Sequence, residues 1–160
     1  MILLQDALAR RVEEITRDLT MPTASGAKAL NVVSGFLPPP REGDQDDEFA
    51  VAVRLFEGDD DMDQMADAAK ATAKVAIKVV TKTKDVQLGQ RMTLMIMERI
   101  RKNLHEYPFL EQRYRTILPL KWQAPNGETW PLWEGYMLTT WVVPMPQENW
   151  EEGETANDVY

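Results

Sequence analysis

Two runs of alternating side chains constrain this chain more than anything else in it. The first reads EFAVAVRLFEGDDDMDQ from Glu48, where Phe49, Val51, Val53 and Leu55 alternate with Ala50, Ala52, Arg54 and Phe56. In the second, Val75, Ile77, Val79 and Thr81 alternate with Lys74, Lys78 and Lys82. A period of two is the signature of a β-strand, because successive side chains leave opposite faces of the backbone. The first strand has at least one fully buried face. The second is half exposed, with a stripe of lysines on its open side. Such strands need a second layer to cover their apolar face.

Helical periods supply that layer. Leu4, Leu8, Val12, Ile15 and Leu19 recur at spacings of three and four with charged residues between them, which predicts an amphipathic helix that Met21-Pro22 stops. Asp85 is a fitting N-cap for a second helix, in which Ile96, Met97, Ile100 and Leu104 form a core-facing stripe and Tyr107-Pro108 is the end. Residues Thr23 to Gly35 have too little period to assign beyond a loop holding a short strand or a turn of helix around Leu30 to Val33. Pro38, Pro39 and Pro40 then form a stiff link into an exposed acidic loop at 41–48. Arg113 to Gln123 and Trp133 to Val143 read as two more strands, joined by APNGETWP, whose Asn126-Gly127 pair favours a tight turn. The resulting order predicts an α+β fold: about four strands, mostly antiparallel in a mixed sheet, with two main helices packed on it. Residues 1–146 are expected to form one domain and 147–160 an acidic tail.

Composition narrows the function. The chain has 160 residues, 44% of them apolar, with no cysteine and one histidine. Disulfides, thiolate catalysis, iron–sulfur clusters, Cys-based zinc sites and paired imidazoles are thereby excluded. The N-terminal segment carries charges where a signal peptide needs an unbroken apolar run, and no run is long enough to span a bilayer, so cytoplasmic synthesis without a membrane partner is expected. The net charge of −8 is unevenly spread. Arg41 to Asp67 carries eleven acids and two bases, Gln147 to Tyr160 five acids and no base, and Lys70 to Lys121 twelve bases and four acids. Opposite patches on one molecule suit solubility, and they also suit copies that dock head to tail.

No pattern of residues points to catalysis. Asp59, Asp61 and Asp63 match the first three ligand positions of a calcium-binding loop, but Gln64 stands where the loop needs glycine and Lys70 where it needs the closing glutamate. The aspartates therefore read as a solvated turn that keeps a strand end from pairing with other chains. His105, near a helix C-terminus, reads as structural. Neither the phosphate-binding glycine loops nor the hydrolase and metalloprotease signatures occur. Neighbouring carboxylates such as Glu13-Glu14 and Glu151-Glu152 are ordinary solvated charge. No cofactor or metal is expected. The stripe Lys74, Lys78 and Lys82, with Lys84, is the one basic feature that could face DNA, and meeting an acidic neighbour suits an acidic chain better. Trp122, Trp130, Trp133, Tyr136 and Trp141 could make a ligand platform, although core and hairpin packing is the commoner use of such residues.

The segments VRLFEGDDD, AKVAIKVVTKTKD, ERIRKNL with YPFL, and the hairpin LPLKWQAPNGETWPLWEGYMLTTWVVP resemble, in that order, tail terminators or minor tail proteins of long-tailed bacteriophages and prophages. The resemblance covers Glu48 to Pro146. It implies a small structural protein of the virion, made in the host bacterial cytoplasm, that closes into a homo-oligomeric ring, expected to be a hexamer, on the finished tail tube. The ring would stop tube polymerisation, offer a surface to the head–tail connector and let DNA pass without sequence-specific binding. Subunit contacts are expected between Asp59, Asp60, Asp61 and Asp63 of one copy and Lys74, Lys78 and Lys82 of the next. The competing readings are a head-completion or neck protein, a small metal-dependent hydrolase or nuclease, and a ligand-binding domain built on the tryptophans.

Overall fold

The computed structural model describes residues 1–23, 26–39, 47–63 and 68–145. The expected tail at 147–160 and most of the acidic loop lie outside these residues. The elements are α1 (Ile2–Thr16), β1 (Thr20–Thr23), β2 (Gly26–Ala29), β3 (Asn31–Ser34), β4 (Glu48–Asp63), β5 (Ala68–Lys82), α2 (Val86–Glu106), β6 (Phe109–Leu110), β7 (Tyr114–Gln123) and β8 (Leu132–Val143). The fold is α+β, as expected, with more strands than the sequence indicated. One sheet has six strands in the order β3-β4-β5-β8-β7-β6, and β1 and β2 form a separate hairpin. Within the large sheet β3 runs parallel to β4, and every other neighbouring pair is antiparallel.

Both helices cover one face of this sheet, and the alternation of the long strands decides which residues meet them. Val51, Val53, Val75, Ile77, Val79, Met137 and Trp141 point into the core, with Leu4, Leu8 and Val12 of α1 and Ile96, Ile100 and Leu104 of α2 against them. Each such aliphatic side chain contributes about 1.5–3 kcal/mol by leaving water. α1 ends three residues before Leu19, which is still buried beyond the helix, so the periodic stripe outlasts the helix itself.

Polar side chains fix the helices in register. The Asp85 carboxylate accepts a hydrogen bond from the Leu88 amide at 3.1 Å, the N-cap expected of it. Arg11 of α1 donates to the carbonyls of Tyr107 and Phe109, at 3.1 and 2.6 Å, and so satisfies the segment that follows α2. Close approach replaces hydrogen bonding at Gly89, where a methyl group would collide with the indole of Trp133. That indole is buried and donates to the Thr83 carbonyl at 3.1 Å.

Candidate interaction site

The aspartate run does not turn the chain, contrary to the reading of it as a solvated turn. It lengthens a strand. In the ladder Asp59 stands opposite Thr72, Asp60 opposite Ala71, Asp61 opposite Lys70 and Asp63 opposite Ala68. β3 leaves β4 after the Ser34–Val53 pair, and β8 leaves β5 at Ala71–Val143. Only beyond Ala71–Val143 does the ribbon narrow to two strands, so Asp61 to Asp63 with Ala68 to Lys70 form a short arm, while Asp59 and Asp60 lie on the sheet's edge strand. A bulge between Leu55 and Glu57 interrupts β4 just after β3 ends, and the Leu55 amide there donates to Gln5 Oε1 at 2.8 Å.

Alternation sends Asp59 and Asp61 to one side of the ribbon and Asp60 to the other. Among the described residues no group of three acidic or histidine side chains is placed to hold a metal ion. Asp59, Asp60 and Asp61 are exposed, with no hydrogen-bond or ion-pair partner among the described residues.

The lysine stripe lies on the sheet face away from the helices, and two of its members have partners in the same chain. Lys74 Nζ is 2.9 Å from Glu57 Oε1. Lys78 Nζ is 3.5 Å from Glu134 Oε1 and 5.6 Å from the centre of the Tyr136 ring. These pairs are half exposed, so each contributes at most about 1 kcal/mol. Lys82 ends β5 opposite Glu48 and Leu132. The segment Leu37-Pro38-Pro39 lines a cleft on this face together with Lys78, Lys82 and Glu134.

The five aromatics do not form one platform. Trp141 and Trp133 are buried in the core, whereas Trp122, Trp130 and Tyr136 are exposed at separate places. Trp122 has a neighbourhood that the strand pattern did not reveal. It stands opposite Met137 on the helix face of the sheet, beside α2, and closes one side of a cleft of about 240 Å³ with Leu94, Met97, Glu98, Arg101 and Met137. A second hollow continues along α2 past Arg91, Leu94, Met95 and Glu98. The sequence signal was available in the spacing of Arg91, Leu94, Glu98 and Arg101, a helical stripe beside the core stripe.

Elsewhere the surface charge is used for tethering. Arg99 donates to Asp18 at 2.6 Å, and that bond holds the Asp18 carboxyl below the ordinary aspartate range. Arg10 donates to Glu111 at 2.7 Å, which raises the pKa of the guanidinium further. His105 is exposed in the last turn of α2.

No family profile matches the chain, and no curated protein matches it. Among solved structures it is similar to a chain from the virion of a native gene transfer agent particle, with 16% identity, a TM-score of 0.46 and coverage of 88% of this chain and 93% of that one. A likeness this distant assigns no function to the chain.

Proposed function

We propose that this chain is a structural component of a long-tailed phage or prophage particle, a tail terminator that closes as a ring on the finished tube. The observation that carries this reading is the run of exposed aspartates on β4, an edge strand beyond Val53, in a chain whose bases fall mostly between Lys70 and Lys121. A ring needs two unlike patches on every copy, one to give and one to receive, and a rotation that closes. That strand supplies the first patch with Asp59, Asp60, Asp61 and Asp63, and the basic surfaces, the stripe at Lys74, Lys78 and Lys82 among them, supply choices for the second. The resemblance of Glu48 to Pro146 to tail terminators supports the same reading. Its partners in this role are further copies of itself, the tail tube protein and the head–tail connector, with DNA passing through the lumen.

Electron microscopy of particles assembled without this protein tests the proposal. Overlong tubes of variable length, detached from filled heads, are the expected result. Tails of normal length that fail to join heads would move the protein to a neck position, and normal joined tails would remove it from the tail altogether.

A further inference from the structure

We infer that the open edge of β4 in one copy joins the open edge of β7 in the next, so that the sheet runs on from subunit to subunit; this rests on the ring reading above. β4 has β3 beside it only as far as Val53, and from Phe56 to Asp63 its outer side has no strand neighbour among the described residues. β7 has β6 beside it only at Tyr114 and Arg115, and from Ile117 to Gln123 its outer side is open in the same way. A strand with an open side presents a row of unpaired amides and carbonyls, which is a template for another strand.

Charge decides which edges meet. Residues 56–63 hold five acids and no base, and Arg113 to Gln123 hold three bases and no acid. β4 against β4 would set carboxylates against carboxylates, and β7 against β7 bases against bases, so the unlike pair is favoured. The other strands with an unpaired side, β1, β2, β3 and β6, carry one base between them, Lys28, and it donates to the Asp47 carbonyl at 3.3 Å. Lys74 and Lys78 lie in the middle of the sheet and already have carboxylate partners. Arg17, Lys84, Arg91 and Arg101 have no partner among the described residues, but they stand after α1, before α2 and on α2, where there is no strand edge to join. On the β7 side, Lys121 has no partner among the described residues, and Arg113 and Arg115 lie over the rings of Tyr114 and Phe109 with no carboxylate partner there.

Strand direction agrees with this pairing. β4, β5, β8 and β7 are linked by three antiparallel ladders, so β4 and β7 run in opposite directions. A copy that repeats the orientation of its neighbour therefore lays its β4 antiparallel to the neighbour's β7. That order brings Phe56, 56% exposed, to the end of β7 that carries Trp122, 55% exposed, and the aspartates to the end that carries Arg115. Pro119 lacks an amide and interrupts the row of donors, so the backbone bonds concentrate at Lys121 to Gln123, and the rest of the contact is made by side chains. Within one chain the two open sides face away from each other across β5 and β8, about 14 Å apart over three ladder steps. The contact is therefore between copies, and a contact between unlike edges is the kind that generates rings.

Sedimentation of charge-reversed variants tests this. Asp59→Lys with Asp60→Lys reverses the β4 edge, and Arg115→Glu with Lys121→Glu reverses the β7 edge; thermal melts check that both fold. Each variant alone is expected to bind itself at least about tenfold more weakly than the wild type. Mixed one to one, the two are expected to regain the wild-type mass, since a reversed β4 fits a reversed β7 and the remaining two edges are still native. Hydrogen exchange on the wild type reads the backbone without any substitution: amides from Lys121 to Gln123 are expected to exchange more slowly in the assembly than in the dilute monomer, and equal rates overturn the strand pairing. Unchanged self-association in either variant overturns the inference, as do loss without recovery on mixing and a wild type that stays monomeric at every concentration. Weakening by Arg91→Glu with Arg101→Glu or by Lys74→Glu with Lys78→Glu, while reversal of β7 has no effect, overturns it in favour of those surfaces. If both edge-reversed variants still cap tubes, the terminator reading survives and the edge pairing does not. If the pairing is confirmed but tube length is unregulated, the reverse holds.

Discussion

Single residues in this protein are decided by space more than by charge. The indole of Trp133 lies where Gly89 has no side chain, so Gly89→Ala forces one of two packed elements to move. We expect a loss of about 1–3 kcal/mol, measured by chemical denaturation. Trp141 is fully buried and its Nε1 donates to Thr139 Oγ1 at 2.8 Å, while that hydroxyl donates to the Val75 carbonyl at 2.9 Å. Trp141→Ala removes a large core side chain and one end of this chain of bonds, and about 3–5 kcal/mol should be lost. Asp18 acts through protonation. The Arg99 hydrogen bond lowers its pKa in the folded state, so its contribution is present above the ordinary aspartate range and disappears as pH falls through the lowered value. Asp18→Asn should therefore flatten the stability profile only on the acid side, and leave it unchanged in shape near neutrality; melts across pH would read this directly.

At the scale of elements, the arm separates what the sequence displayed from what it concealed. The two long strands were legible at their cores, because Val51, Val53, Val75, Ile77 and Val79 alternate against solvent-facing partners. Their outer halves were not, since aspartate is a poor strand former and an acidic run ordinarily marks a loop. Pairing with β5 overrides that preference: the backbone bonds are made within the ribbon while the carboxylates stay in water. The short strands β3 and β6 were hidden for another reason, as four and two residues are too few to show a period. The α2 stripe was readable in its buried half, and its exposed half acquired meaning only when Trp122 was brought beside it. Two outcomes follow for the arm. Replacing residues 61–70 with a short turn should leave the melting temperature nearly unchanged, since Ala71 and Ala73 keep the buried part of β5, yet abolish self-association on sizing. Calcium or magnesium should leave the melt of the intact protein unmoved, because the aspartate run lacks the glycine and the closing glutamate of a calcium loop.

For the whole molecule, the uneven charge sets how assembly responds to its medium. Contacts between exposed acids and bases are screened over about 8 Å at physiological ionic strength and over about 3 Å at 1 M salt. Raising salt across that range should shift sedimentation toward the monomer, whereas an interface held chiefly by apolar burial would hold or tighten. The one-layer arrangement explains how so small a chain can present several surfaces: helices occupy one side of the sheet and leave the other for Lys74, Lys78 and Glu134. One further property follows from β5, which runs unbroken from the arm into the middle of the sheet with β4 on one side and β8 on the other. A pull on the arm loads those ladders lengthwise, so many hydrogen bonds must yield together, where a peeling load would open them singly. A collar linked through such arms would be stiff against bursting, a useful property in any fitting that must contain pressure.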